Sequence, residues 1–408
     1  MIYGVLAFLV AGASVIGGDG GAPNLSPSAT VRVVSADHRI EFPDRIVLTV
    51  EVESTFDLVE VRLFYRLGRQ ETTVYGYPTI SRTSETVSAE FEIRTRGAGF
   101  IPEGVEIEYF YVFRDSRGEF FESRRFQVEY LDPRYDWQRL DAGGFELLWH
   151  DRREEVVEAV AREVNRGLEP IRELLGRLPS HSMRAVIVND RHEADRVFPI
   201  VSQAATDGHL YGGFAYPDYD VFILSGLSVD GMLHEMTHLL IGDALDSPSA
   251  RVPAWLNEGL AMYFERGSGG RAAIVSDAAR SGALLSLRNM GAVPGKPAAV
   301  RLFYAQSWSI VDYAAATFGP ERMSELLLAI NSGQGIEVAI QTAYGLSIDE
   351  LEAQWRAGIE PEASFTNIVD PGTLGTSLLI AGAMLVAAAS LTVRWIRSRN
   401  RSATSSGE

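Results

Sequence analysis

Residues 234–238 read HEMTH, and residues 255–264, a short way along the chain, read WLNEGLAMYF. On a helix, His234 and His238 are four residues apart, so both imidazoles project from one face about one turn apart. Such a pair can bind a single metal ion, and Glu235, next to the first ligand, can act as general base on a water held by that metal. The pattern therefore predicts a helix that carries a metal site.

The second stretch supplies an acidic residue, Glu258, twenty positions after His238. Pro253 suits the first turn of a helix, and the apolar residues that follow give that helix a buried side. Two histidines and one glutamate, with a fourth position open to water, are a recurrent ligand set of catalytic zinc sites. The sequence therefore predicts one Zn²⁺ per chain, bound by His234, His238 and Glu258, although the same ligand set accepts other divalent ions.

The alternative for HEMTH alone is a surface helix that carries two solvated histidines. The apolar residues around the motif, such as Leu233, Leu239 and Leu240, make the helix largely apolar. Burying imidazole and carboxylate groups there is costly unless they have a partner, and a metal ion supplies one. The surroundings therefore favour the metal site.

Four segments resemble the MA-like peptidase domain family of bacteria, which belongs to the thermolysin-like gluzincins. They read HEMTHLLIGD, VPAWLNEGLAMYFE, YAQSWSIVDYAAATFG and YGLSIDELEAQW, and the similarity runs from about Phe145 to Trp355. The resemblance implies an antiparallel edge strand ahead of the active helix, two zinc-binding helices and a helical C-terminal half. It also implies that His234, His238 and Glu258 bind zinc and that Glu235 activates water for peptide hydrolysis.

Two departures from the family pattern concern the surroundings of the metal. Thermolysin-like enzymes often carry an acid four residues after the third ligand, which orients a zinc-bound histidine; here that position is Met262. Another group must therefore take this role. Related aminopeptidases bind the substrate amine through a GxMEN motif, which residues 212–216, GGFAY, match only superficially. The sequence therefore favours an endopeptidase.

Catalysis of this kind usually needs a further hydrogen-bond donor. Amide hydrolysis places negative charge on the former carbonyl oxygen in the transition state, and a neutral donor besides the metal commonly stabilises it. Tyr304, which opens the YAQSW segment, is our candidate. A packed aromatic residue beside Phe303 and Trp308 is an equally weighted alternative.

The strand VFILS, residues 221–225, has two interpretations. As an exposed edge strand it would hydrogen-bond an extended substrate backbone and align it under the metal. As a core strand it would have no such role. A single sequence does not distinguish the two.

Two domains are predicted between the chain ends. Residues 29–131 alternate polar and apolar positions in stretches such as RIVLTVEVE and VEIEYFYVFR, separated by turn signals. They predict an all-β sandwich of about seven short strands in the style of immunoglobulin or fibronectin modules. Residues 132–361 are predicted to form an α+β gluzincin-like zinc peptidase domain that begins with a helix over about 152–178. The sandwich is interpreted as a spacer, or as a module that binds substrate or a wall polymer.

The two chain ends predict attachment to a membrane. Residues 1–22 resemble a signal peptide or N-terminal apolar segment, although no basic residue precedes the apolar run. After a linker, residues 362–372, the stretch 373–393 is apolar and long enough for one transmembrane helix. The basic tail, residues 394–408, predicts a cytoplasmic C terminus. We therefore expect a single-pass protein of the cell membrane with its catalytic domain outside the cytoplasm.

The amino-acid composition limits the classes of molecule that the protein is expected to bind. The formal net charge is −17 and Lys296 is the only lysine, which disfavours nucleic acid. The chain has no cysteine, which excludes disulfides and a lipoprotein anchor. The expected partner is a peptide or protein substrate, and the oligomeric state stays open. The alternative function is a non-catalytic cell-surface binding protein with a structural metal site, or a latent enzyme closed by a segment such as residues 267–295.

Overall fold

The chain forms two compact units. The computed structural model describes residues 31–82, 86–176, 182–199, 212–245, 247–267 and 270–359. One unit ends at Pro133, and the other comprises the chain from Arg134 onward together with Pro102–Gly104. The predicted signal segment 1–22 and the predicted linker, transmembrane helix and tail, residues 362–408, lie outside the described residues. Within the described part, no helix combines the length and apolarity that crossing a membrane requires.

The first unit is all β. Its strands are β1 (Val31–Glu41), β2 (Arg45–Ser54), β3 (Leu58–Leu67), β4 (Val74–Gly76), β5 (Thr79–Arg82), β6 (Val87–Arg94), β7 (Glu106–Asp115), β8 (Phe120–Glu122) and β9 (Phe126–Glu129). One sheet has the order β1-β2-β6-β5, and the other has the order β4-β3-β7-β8, with β9 also paired to β7. All of these pairs are antiparallel. The prediction of an all-β N-terminal region is confirmed, whereas its immunoglobulin-like class stays a prediction.

The strand count differs from the prediction because several strands are short. The described residues contain nine strands instead of about seven. Strands β4 and β8 have three residues each and β5 has four, which is too short for an alternating pattern to stand out. The long β7 shows that pattern clearly, with Ile107, Tyr109, Tyr111 and Phe113 buried and the intervening side chains more exposed.

The second unit combines a mixed sheet with helices. Its strands are β10 (Gln138–Asp141), β11 (Phe145–Trp149), β12 (Met183–Val188), β13 (Gly213–Tyr216) and β14 (Val221–Ser225). Its described helices are α1 (Glu154–Leu175), α2 (Arg191–Val197), α3 (Val229–Ala244), α4 (Ala254–Tyr263), α5 (Arg271–Ser281), α6 (Pro297–Phe318), α7 (Pro320–Asn331), α8 (Ile336–Tyr344) and α9 (Ile348–Ala357). The prediction of a helical C-terminal half is confirmed. The predicted first helix is shorter than expected, because Gly176 adopts φ 67° and ends it.

The sheet order settles the position of VFILS. The strands run β10-β11-β12-β14-β13, so β14, which carries VFILS, is an inner strand. It is parallel to β12 and antiparallel to β13. Val221–Leu224 are all buried, as the unbroken apolar run of an inner strand requires. The interpretation of VFILS as an exposed edge is therefore wrong, and among the described strands β13 is the antiparallel edge strand next to it.

Close contacts between helices hold the α3 and α4 segments in place. A Cβ atom on Gly167 of α1 would lie 2.6 Å from a Leu233 methyl group on α3. A Cβ atom on Gly259 of α4 would lie 2.5 Å from the carbonyl oxygen of Ser307 on α6. At Gly259 the absence of a side chain lets the two backbones approach this closely, and at Gly167 it leaves room for the Leu233 side chain. The packing thus fixes the HEMTH helix and the Glu258 helix against neighbouring helices.

Candidate metal centre

Helix α3 has one apolar face and one face that bears the histidines. The Ser228 hydroxyl caps its start by accepting a hydrogen bond from the Gly231 N–H over 3.0 Å. Met232, Leu233 and Met236 are buried in the core beneath the sheet. His234 and His238 project on the other side, with their ring centroids 4.9 Å apart. The predicted four-residue spacing therefore produces a pair of adjacent imidazoles.

Helix α4 brings the third predicted ligand to this pair. The Glu258 Oε2 atom lies 3.6 Å from His234 Nε2 and 3.7 Å from His238 Nε2. One donor atom from each residue falls within 4.8 Å of the other two. Ligands about 2.1 Å from a tetrahedral zinc ion are about 3.4 Å apart, so only small adjustments separate these positions from a zinc site. The donor set and its spacing fit one Zn²⁺, with the fourth position left to water or substrate.

The electrostatics of the three donors are strongly coupled. Burial alone lowers the pKa of His234, but hydrogen bonds to Glu258 and Glu265 outweigh it and raise that pKa to about 10. Burial lowers the pKa of His238. Burial raises the pKa of Glu258, yet the two histidines outweigh it and lower that pKa overall. The cluster thus supplies a carboxylate charge beside two imidazoles, which suits a divalent cation.

A carboxylate that the sequence did not reveal orients His234. The Glu265 Oε1 atom lies 2.9 Å from His234 Nδ1, and its Oε2 atom lies 2.6 Å from an Arg271 nitrogen. Glu265 follows Glu258 by seven residues, whereas the family pattern places such an acid four residues on, where Met262 stands. Because α4 ends at Tyr263, helical spacing does not predict where the Glu265 side chain points.

Glu235 lies beside the donors but is not one of the three. Only 7% of its surface is exposed. Burial and the nearby carboxylates Glu258 and Glu265 raise its pKa to about 7, although His234 opposes the shift and the Ala215 N–H donates to it. The edge strand β13 approaches it so closely that a Cβ atom on Gly213 would lie 2.7 Å from Glu235 Oε1. Strand β13 therefore packs directly against the Glu235 carboxylate.

These groups line a cavity of about 600 Å³. Its lining includes Tyr304 of α6, which is half-buried, in addition to the three donors and Glu235. The structure thus brings all five predicted site residues to one cavity. Other lining residues are Gly212, Gly213, Phe214, Ala215, Pro217, Leu224, Gly231, Ile241, Gly242, Leu245, Ala250, Val252, Asn257, Met262 and Glu265.

The lining also bears on the hypothesis of a latent enzyme. That hypothesis required a segment such as residues 267–295 to close the site. No described residue of this segment lines the cavity. The described part of the chain therefore gives no support to closure by that segment.

A known protein family matches the part of the chain that carries this site. Residues 204–361 match the family model of the Peptidase MA superfamily, a segment that includes all five predicted site residues. The resemblance to the MA-like peptidase family is thereby confirmed over that segment. The match and the cluster of two histidines and a glutamate together support a metallopeptidase. No curated protein matches the chain.

Several solved structures also resemble the chain at low similarity. An M1 zinc metallopeptidase from Deinococcus radiodurans is 13% identical, with 83% of this chain and 96% of that chain covered and a TM-score of 0.36. An aminopeptidase N family protein from Idiomarina loihiensis is 10% identical, with 81% and 73% covered and a TM-score of 0.29. A β-1,3-glucan binding domain of carbohydrate-binding module family 56 is 13% identical, with 25% and 100% covered and a TM-score of 0.17. At these TM-scores none of the three bears on the activity of this chain.

Proposed function

We propose that this protein is a zinc endopeptidase. The observation that carries the proposal is the position of Glu235, a buried carboxylate beside the three donors and inside the same cavity. A purely structural zinc site has four protein ligands and needs no general base. A site with three ligands, a base and a cavity for substrate suits hydrolysis better than a binding protein with a structural metal site.

The residues of the chain have distinct roles in this proposal. His234, His238 and Glu258 hold the zinc ion. When bound, zinc polarises the scissile carbonyl and makes the attacking water more acidic. Glu235 takes a proton from that water and passes it to the leaving amine. Tyr304 donates a hydrogen bond to the oxygen that becomes negative in the transition state.

The substrate is proposed to be an extended polypeptide aligned along β13. The outer side of an edge strand can pair with a substrate backbone without reading its sequence. Residues 213–216 of β13 read GFAY and contain no acid. Glu265 is the one carboxylate of the described lining besides Glu235 and Glu258, and His234 and Arg271 already occupy it. No carboxylate of the described lining is therefore left to hold a substrate amine, which favours an endopeptidase over an aminopeptidase.

A pair of peptides tests this proposal. Both peptides have the same internally quenched sequence, but one has an acetylated N terminus and the other a free amine. We expect the full-length, zinc-loaded protein in detergent to cleave both at the same internal bond with similar kcat/KM. Mass spectrometry of the products identifies the bond. Stepwise removal of single residues from the free peptide, with the acetylated one left intact, would instead identify an aminopeptidase.

We further propose that the chain is anchored in the cell membrane with its catalytic domain outside the cytoplasm. The support is the sequence of residues 373–393 and the arginines that follow. In cells that make the full chain, we expect it in the membrane fraction, released by detergent and not by high salt. We also expect protease added outside the cytoplasmic membrane to digest the catalytic domain. Recovery in the soluble fraction would contradict the anchor.

A further inference from the structure

A partly buried ion pair, Glu265 and Arg271, contacts His234 from outside the ligand set. We propose that these two residues are positioning residues that fix the orientation of His234 and thereby set the affinity for zinc. The inference rests on the proposed function, because it assumes that His234 binds the metal. It assigns a role to two side chains that the family pattern did not identify.

A hydrogen bond joins the Glu265 carboxylate to the His234 ring. With Oε1 only 2.9 Å from Nδ1, the carboxylate accepts a hydrogen bond from the Nδ1–H group. The other nitrogen, Nε2, faces Glu258 Oε2 at 3.6 Å and is the atom left to bind a metal. Both side chains are 19% exposed, so water competes weakly for this bond. Glu265 thus selects the tautomer that can bind a metal.

Arg271 in turn holds the Glu265 carboxylate in place. Arg271, at the start of α5, donates to Glu265 Oε2 over 2.6 Å and also to the Gly267 carbonyl oxygen. Its side chain is only 14% exposed, and its guanidinium lies 5.5 Å from the centre of the Trp308 ring on α6. The pair therefore links the turn after α4 to two further helices. Glu265 has little freedom to turn away from His234.

Charge explains why an arginine is needed. Glu235, Glu258 and Glu265 all line one cavity, and three carboxylates this close repel one another. Arg271 offsets the charge of Glu265 and leaves its hydrogen bond to His234 intact. A neutral partner would hold the carboxylate in place but would not offset its charge.

His234 and His238 differ in the groups that hold their imidazole rings. His238 Nδ1 is buried, and the side chain that hydrogen-bonds to the His238 ring from outside the cluster is the neutral amide of Asn257. His234 is accordingly the ligand whose ring is held by a charged group outside the cluster. Substitutions at Glu265 and Arg271 should act on the metal through His234.

The test measures zinc affinity by competition with a chelator, using the full-length protein. We expect Glu265→Gln and Arg271→Met each to weaken zinc binding by about tenfold to hundredfold, the usual effect of removing such a partner. The matched control is Asp230→Asn. Asp230 pairs with Arg266 over 2.9 Å and joins the same two segments, the start of α3 and the turn after α4, at the surface and without touching a ligand. The control should bind zinc as the parent does.

A second readout separates positioning from general stability. In the cobalt-substituted protein, we expect the visible absorption bands of Glu265→Gln to shift, because the ring that binds the metal is reoriented. If Glu265→Gln fails to fold, Glu265→Asp and Arg271→Lys serve the same test, since they keep the charges and alter only the geometry. Parental zinc affinity together with a parental cobalt spectrum in the Glu265 and Arg271 variants would overturn the proposal.

The outcomes also separate this inference from the proposed function. If the parent binds no zinc, both fail. If the parent binds zinc and cleaves peptides, and the Glu265 and Arg271 variants keep both the parental zinc affinity and the parental cobalt spectrum, the positioning role alone fails and the endopeptidase remains.

Discussion

Replacing Glu235 by glutamine should lower kcat for peptide hydrolysis by about ten-thousandfold and leave zinc bound. Proton transfer by a positioned side chain accounts for about 10²–10⁴ in rate, and an amide cannot take the proton that a carboxylate takes. Glutamine has nearly the same shape, so the packing against β13 should survive. Glu235 is not one of the three clustered donors, and its loss should not release the metal.

The measurements are kcat on the acetylated quenched peptide and zinc content, for parent and variant side by side. The Glu235→Asp variant is the control, because it keeps a carboxylate but shortens the reach by one methylene. It should recover part of the activity that Glu235→Gln loses. Parental hydrolysis by Glu235→Gln would refute the assignment of the general base, and loss of zinc would show that Glu235 is a ligand.

The sequence revealed the metal cluster because each part of it obeys a local rule. His234 and His238 are four residues apart on one helix, and α3 forms where the motif and the apolar residues around it predict a helix. Glu258 lies on a helix that begins just after Pro253. What the sequence did not specify is the packing that brings the two helices together. The glycine contacts that allow it, at Gly167 and Gly259, follow no recognisable local pattern.

The features that the sequence did not predict, the Glu265–Arg271 pair and the position of the edge strand, depend on contacts between residues that are distant in the sequence. Glu265 and Arg271 lie beyond the end of α4 and at the start of α5, where helical spacing no longer predicts a direction. The edge of the sheet also required the strand order. Strand β14 was recognisable as a strand from its apolar run, but only its pairing with both β12 and β13 shows that it is an inner one. The short segment GFAY, which from the sequence alone was only a poor match to a motif, forms the outermost described strand on that side of the sheet.

Replacing Tyr304 by phenylalanine should lower kcat by about 10²–10³ and change KM little. Removal of one donor from an oxyanion site has an effect of this size, because the bond is strongest in the transition state. Tyr304 lines the cavity together with the zinc donors and Glu235, on the side formed by α6. The hydroxyl is the only group removed, and the ring that packs 5.7 Å from Phe303 remains.

The matched control for this change is Tyr313→Phe, on the same helix. Tyr313 is also half-buried and contacts Phe318, with ring centroids 6.3 Å apart, but it does not line the cavity. It should therefore keep parental kcat and KM. A fall in kcat at unchanged KM and zinc content, in Tyr304→Phe only, identifies the donor. If the two variants behave alike, loss of the Tyr304 hydroxyl has no effect specific to the cavity. Tyr304 is then a packed aromatic residue of α6, and the negative charge of the transition state is stabilised without it.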